Sequence, residues 1–343
     1  GPWHPQRGPP PFPITLLGSR MSRQCLAVTL GDPRGIGPEV VVSAVRHLME
    51  HGNDTDFILL GPDELDPGLG IYEGVGRFDG SEHSAGVLSA LAVERAVHLA
   101  LAGNAAGIVT GPIHKPALRS AGVMEPGHTE MLQRLTGASV VGMLMAAEET
   151  RLGSPLRVLL ATTHVPLRDV PDLLSVDLLT SQGMLLNASL QADWNLARPR
   201  IALCALNPHA SDGGLFGHEE DSVFGPALEA LRRAGVEVDG PIPADTVFSR
   251  TLHGEYDAVI APYHDVGMAP FKTVSFGTGV NVTLGLPFVR TSPDHGTAFE
   301  IVGTGAADPS SMRAALRMAS RLAGGRRRRQ QPSHGFDTLA DHI

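Results

Sequence analysis

Short apolar runs recur along the chain, and each stops abruptly at turn-forming or polar residues. Runs of this kind read as buried strands. They fall at 25–30, 56–60, 107–110, 140–145, 156–161, 200–205, 236–238, 258–261, 279–283 and 287–292. Between them, apolar spacings of three and four predict helices over about 38–50, 84–102 and up to 122, from 126, from 172 or 177 to 190, and over 224–234, with a short one at 243–246 and a last one over 310–322. Only 61–83, rich in Gly and acidic residues, carries no periodic signal. Strands alternating with helices predict an α/β fold on largely parallel sheets, with no internal repeat.

In an open α/β sheet, ligands gather just beyond the carboxyl ends of strands. Three of the runs deliver a histidine there. The run at 156–161 leads to His164, that at 200–205 to Asn207, Pro208 and His209, and that at 258–261 into a loop holding Tyr263, His264 and Asp265. One such histidine is more often a hydrogen-bonded structural residue, but three in the same position point to a shared role. Imidazole suits zinc and other late first-row divalent ions, and three protein ligands leave positions open for substrate. His164, His209 and His264 are therefore expected to converge on one divalent metal.

Other residues supply candidate anion chemistry. Lys272, Asn281 and Arg290 beside Gly-rich turns read as phosphate and polar anchors, or else as surface pairs. Pro126-Gly127-His128-Thr129-Glu130 opens a helix that Thr129 can cap, and free N–H groups there, with His128 beside them, suit an anion; an ordinary capped helix with a surface histidine fits equally. Asp245 and Asp265 read as proton acceptors or as partners orienting an imidazole, Asp245 equally as a plain helix cap. The loop GDPRGIGPE at 31–39 is neither the dinucleotide fingerprint nor a P-loop, and reads as a tight turn or a ligand loop.

Composition narrows the class. A length of 343 residues allows about two domains. The net charge of −9 gives no reason to expect nucleic acid. No unbroken apolar run approaches the roughly 18 residues of a membrane helix. Cys25 and Cys204 lie inside apolar runs and read as core residues, which suits a reducing, cytoplasmic setting. The Pro- and Gly-rich residues 1–20 read as a disordered leader, and 324–343, with Arg326 to Arg329, as a disordered solvated tail.

Taken in order, GDPRGIGPE, GPIHK, PGHTE, ATTHVPLRD, NPHASDGG, PADT, YHDVGMAPFK, GVNVTLGLPFVRTSPDHGTA and GTGAAD resemble the 4-hydroxythreonine-4-phosphate dehydrogenase, or PdxA, family of pyridoxal phosphate biosynthesis, over roughly 26–322. The resemblance implies a two-domain α/β/α fold like the isocitrate and isopropylmalate dehydrogenases. The first domain would comprise 21–138 plus 282–323, and the second, with the metal histidines and dimer interface, 139–281. It implies a homodimer with the active site at the interface, one divalent metal (Zn, Mg or Co) on His164, His209 and His264, and substrate held by His128, Thr129, Lys272, Asn281 and Arg290. It also implies NAD or NADP, with His295, Gly296, Thr297 and Ala298 as the adenosine-side loop. Asp245, Asp265 and Lys272 are its candidate catalytic residues.

The implied reaction oxidises 4-phosphohydroxy-L-threonine to a 3-oxo acid that decarboxylates to 3-amino-2-oxopropyl phosphate. The stretch between Leu60 and Gly107 is shorter than is usual in the family, which leaves phosphorylated threonate or erythronate, or a carboxylated cis-dihydrodiol, as alternative substrates. A non-catalytic metal- or phosphate-binding relative is the alternative of another class, and a metal-dependent hydrolase a third that would not need the HGTA segment.

Overall fold

The computed structural model describes residues 23–330. The leader expected over 1–20 and the end of the tail lie outside the described residues. The chain runs β1 (Gln24–Thr29), α1 (Gly37–Glu50), β2 (Thr55–Gly61), β3 (Ile71–Gly74), α2 (Glu82–Leu101), β4 (Gly107–Thr110), α3 (Lys115–Ser120) and α4 (His128–Thr136). It continues with β5 (Gly142–Ala147), β6 (Leu156–Leu160), α5 (Val170–Leu173), α6 (Val176–Ala192), β7 (Arg200–Cys204), α7 (Gly225–Arg233) and β8 (Glu237–Ile242). The last elements are α8 (Ala244–Leu252), β9 (Ala258–Ala261), α9 (His264–Ser275), β10 (Val280–Leu284), β11 (Val289–Pro293) and α10 (Ser310–Gln330).

All eleven strands form one sheet in the order β3-β2-β1-β4-β11-β10-β5-β6-β9-β7-β8. Strands β3, β2, β1, β4 and β11 are parallel to one another, as are β6, β9, β7 and β8. Between the groups, β10 pairs antiparallel with β11 and β5, and β5 antiparallel with β6. The two parallel groups therefore run in opposite senses across an antiparallel seam. Their strands are apolar on both faces because helices cover both. In β1, Leu26 and Val28 join the core beneath α1 and α10, while Cys25 and Ala27 join the core beneath α2. A third core packs α8 and α9 on the other group through Val158, Ala202, Cys204 and Val259.

Several expectations are corrected. The aperiodic 61–83 stretch contains β3, an edge strand, and α2 starts at Glu82 rather than at 84, capped by Ser81, whose hydroxyl accepts from the Ser84 N–H at 3.0 Å. By length and composition α2 could cross a membrane, but its apolar positions, such as Ala85, Val93 and Val97, are buried in the fold. The stretch after Tyr263 is a helix, not a loop. The last helix passes Leu322 and reaches Gln330, where a disordered tail was expected. There Arg326 pairs with buried Asp193 and donates to the Leu286 carbonyl at 3.2 Å.

Glu148 braces the seam. Its carboxylate accepts from Arg157 at 2.9 Å, the Trp194 indole at 2.8 Å and Arg321 of α10 at 2.7 Å. Burial pushes its pKa up, but the Arg321 hydrogen bond and the Arg157 charge outweigh this and lower it from 4.5 to about 2. A pKa lowered on folding contributes stability that is complete above 4.5 and is lost as pH falls toward 2. Glu148→Gln should therefore cost about 2–3 kcal/mol at pH 7 and about 1 kcal/mol or less near pH 2.5. Urea unfolding at the two pH values checks this; equal midpoints for both proteins at pH 7 would exclude the brace.

Candidate active site

The seam strands turn a polar face outward in an otherwise apolar sheet. Side chains alternate along a strand, and the register aligns Met145, Asn281 and Ser292 in one row and Met143, Thr283 and Arg290 in the next. All of these but Thr283, with Thr110 of β4 and Leu160 of β6, floor a cavity of about 1000 Å³. Its walls come from the loop after β4, the start of α4, the loop after β6, α9 and the segment 292–296.

Arg290 is the unusual group. It is 2% exposed, and among the described residues no carboxylate pairs with it. Its Nη atoms donate to Thr283 Oγ1 at 2.9 Å and Thr110 Oγ1 at 2.6 Å, while Nε is buried and unpartnered. Burial pulls its pKa down to about 10, so it stays charged near neutrality. Beside it, burial and the Arg290 charge hold the His128 pKa well below its ordinary range, and His128 Nε2 also lacks a partner. Asn281 Oδ1 and His295 Nε2 are two further unpartnered buried atoms. Buried polar atoms are normally paired, so unpaired ones around a cavity mark where ligand atoms belong. A buried cation with spare donors calls for an anion.

The remaining expected residues fall as follows. α4 starts at His128 with Gly127 at its N-cap and no side-chain cap, so Thr129 does not cap it, and the bare helix start faces the cavity. Lys272 also lines the cavity, its ammonium 3.7 Å from Asp294. His164 and His264 meet at the cavity mouth, with ring centroids 5.4 Å apart, and His264 Nδ1 donates to Asp265 at 2.7 Å. Burial, Lys115 and His264 lower the His164 pKa, which favours neutral imidazole.

His209 does not join them. It is exposed and does not line the cavity, and among the described residues no three metal-binding side chains gather. The physical reason is topological. β6 and β9 are neighbours, but β7 lies on the far side of β9, and a left-handed bend from His209 to Asp212 follows it. The 210–214 loop is built rather than loose, because Glu220 accepts from the N–H groups of Leu206 and Asn207 and from Ser211 Oγ.

Asp245 lies exposed in the first turn of α8, and Asp265, also exposed, pairs with His264; neither lines the cavity. His295 and Gly296 line it, whereas Thr297 and Ala298 pack behind, the Thr297 carbonyl accepting from the Ile36 N–H at 2.9 Å. Lys115 and Glu130 line the cavity without having been singled out. Lys115 follows the end of β4 just as the histidines follow their strands, and that position was the available signal.

The fold and site define an α/β protein whose cavity gathers a buried cation, unpartnered polar atoms and a histidine pair, an arrangement suited to a small anion. A sequence profile of the family described as pyridoxal phosphate biosynthetic protein PdxA matches residues 64–319. The 4-hydroxythreonine-4-phosphate dehydrogenase of Paracoccus denitrificans is 41% identical over 323 residues, covering 87% of this chain and 97% of its own. The crystal structure of the enzyme of that name from Klebsiella pneumoniae has a TM-score of 0.77 at 36% identity, covering 88% and 99% of the two chains. A terephthalate 1,2-cis-dihydrodiol dehydrogenase from Burkholderia xenovorans has a TM-score of 0.62 at 25% identity, covering 87% and 98%. The chain belongs to the PdxA family and is an oxidoreductase. A dehydrogenase of this family implies a nicotinamide cofactor and a divalent metal.

Arg290→Met removes an uncompensated buried charge, so stability should hold or rise by about 1 kcal/mol. Inorganic phosphate at a hundredfold excess over its Kd should stabilise the unchanged protein by about 2.7 kcal/mol and leave the variant unaffected. Melting curves with and without phosphate measure both; equal phosphate protection of the two proteins would dismiss the anion site.

Proposed function

We propose that the protein oxidises 4-phosphohydroxy-L-threonine with NAD(P)+ to a 3-oxo acid, which loses CO2 to give 3-amino-2-oxopropyl phosphate. The observation that carries this reading is Arg290, buried without a carboxylate and flanked by His128 and a bare helix start. A phosphate fills this need better than a neutral group, because it offers several acceptor oxygens to donors in a dry site. Lys272, held toward the cavity by Asp294, and Asn281 complete the grip.

Two imidazoles fit a divalent ion, and the third ligand is the difficulty within one chain. A second copy resolves it. His209 stands exposed on an anchored bend, and the segments carrying His164 and His209 expose Leu167, Leu173, Leu215 and Phe216. Exposed apolar side chains around a metal-binding histidine support a homodimer in which His209 of one copy joins His164 and His264 of the other. His295 Nδ1 donates to the Gly296 carbonyl at 3.0 Å, so its unpartnered Nε2 is an acceptor, as a loop meeting a cofactor hydroxyl or amide requires.

When bound, the metal favours ionisation of the substrate's secondary hydroxyl and the nicotinamide takes the hydride. The chain's own part is positional. Arg290, His128 and the start of α4 fix the phosphate, so that the carbon to be oxidised lies toward the histidine pair. Lys272, an ammonium on the anion side of α9, is placed for the phosphate rather than for the departing proton, and Asp245 and Asp265 stand outside the cavity of a single chain. The two cysteines are buried with thiol pKa values pushed up to about 12, and are unpaired, which supports a reducing, cytoplasmic setting.

Reduction of NAD+ or NADP+ should proceed with 4-phosphohydroxy-L-threonine and stop after chelation. Turnover of 4-phosphothreonate or of a carboxylated dihydrodiol alone would replace the substrate, and no turnover of any would leave a non-catalytic binder. His209→Ala and His264→Ala should each be inactive. Mixed and re-equilibrated, they should recover about a quarter of the activity, because half the dimers are mixed and each rebuilds one site. No recovery would remove the shared site.

A further inference from the structure

The loop at 31–39 has no part in the reaction above, yet its side chains are committed to one target. We propose that Arg34 is a positioning residue that holds Phe299, and through it the 295–303 loop, in the shape that takes the adenosine end of the nicotinamide cofactor. This rests on the reading of 295–298 as the cofactor loop.

Arg34 has no freedom to bind a ligand anion itself. Its Nε and Nη2 donate to the fully buried carboxylate of Asp32 at 3.0 and 2.8 Å, and Nη1 lies 3.3 Å from Glu82. Two carboxylates neutralise the guanidinium and fix its plane. What remains is its face, which lies 5.4 Å from the centroid of the Phe299 ring. His114 closes the clamp: its ring meets Phe299 edge-on at 4.9 Å, and its Nδ1 accepts from Arg34 Nη2 at 3.2 Å. A cation over an aromatic face is attracted by the ring's quadrupole.

Two further contacts tie the same loops together. The Ile36 N–H donates to the Thr297 carbonyl, and Gly303 N–H donates to Glu39 at 2.6 Å. Gly35 permits the approach, since a Cβ there would sit 2.8 Å from the Thr297 carbonyl oxygen. Phe299 is nonetheless 39% exposed, so the clamp of Arg34 and the His114 ring it hydrogen-bonds is what holds it. Without that clamp the cavity-lining residues of the loop, His295 and Gly296, would lose their backing.

Arg34→Ala, Phe299→Ala, the double variant and Phe299→Tyr distinguish this role from a general structural one. NADH affinity, read from nicotinamide fluorescence, should fall about tenfold (about 1.4 kcal/mol) in either alanine variant. The double variant should be no worse than either single, as residues acting through one contact require, and Phe299→Tyr should bind normally. Protection by inorganic phosphate should stay within twofold throughout. NADH affinity within twofold of the unchanged protein in folded Arg34→Ala, or parallel loss of phosphate protection, overturns the proposal. Should Arg34→Ala not fold, equal NADH affinity of Phe299→Ala and Phe299→Tyr overturns it. Absence of both NADH and NADPH binding by the unchanged protein instead removes the cofactor reading itself; where only NADPH binds, it replaces NADH in every arm.

Discussion

A guanidinium buried in the middle of an eleven-stranded sheet, with two threonine hydroxyls and no carboxylate, constrains everything around it. Charge so placed calls for an anion, all the more because its Nε is left without a partner. The hydroxyls come from the facing residue of β10 and from neighbouring β4, so Arg290 can exist only if three strands keep their register. A slip of one residue would turn it into the apolar core beneath α10. The polar face that floors the cavity and the strand order of the seam are thus one requirement.

The opposite sense of the two parallel groups explains how one cavity collects residues from most of the chain. α9 crosses from the histidine side to the anion side, with His264, Met268 and Lys272 at successive spacings of four along one face. At about 1.5 Å per residue, the eight positions between His264 and Lys272 span about 12 Å. Gly267 lets this helix lie against the sheet, because a Cβ there would come 2.6 Å from Leu160 Cδ2. Helix, glycine and strand ends together set the separation between the histidine pair and Lys272.

Much of this was legible in the chain. Strands apolar on both faces announce themselves, and so do Asn281 and Thr283 in β10 and Arg290 and Ser292 in β11, because burial leaves few other reasons for them. What could not be read was adjacency. Three strand ends looked equivalent along the sequence, but the order β6-β9-β7 brings two histidines together and carries the third away. Gly267 and Pro270 disguised α9 as a loop, although the glycine is there for close packing and the proline sits within the helix. Gly324 and Gly325 likewise looked like a stop. In the fold Gly325 packs where a Cβ would meet the Asp193 carbonyl oxygen at 2.7 Å, and Arg326 anchors the continuing helix.

The bend at His209 gives an independent reason to look beyond a single chain. His209, Ala210, Ser211 and Asp212 all have positive φ, between 46° and 70°, and none is glycine. Residues in that region cost of order 1 kcal/mol or more each and persist only where their surroundings over-determine them. Here Glu220, 3% exposed, does so through hydrogen bonds to Leu206, Asn207 and Ser211. Those bonds, with the burial that opposes them, leave its pKa lowered, so the anchor stays ionised near neutrality. A fold that keeps a strained segment and a buried carboxylate to hold one exposed imidazole outward is not merely closing a loop. Among the described residues no hydrogen bond or ion pair reaches that imidazole, and this is the observation on which the proposed second copy rests.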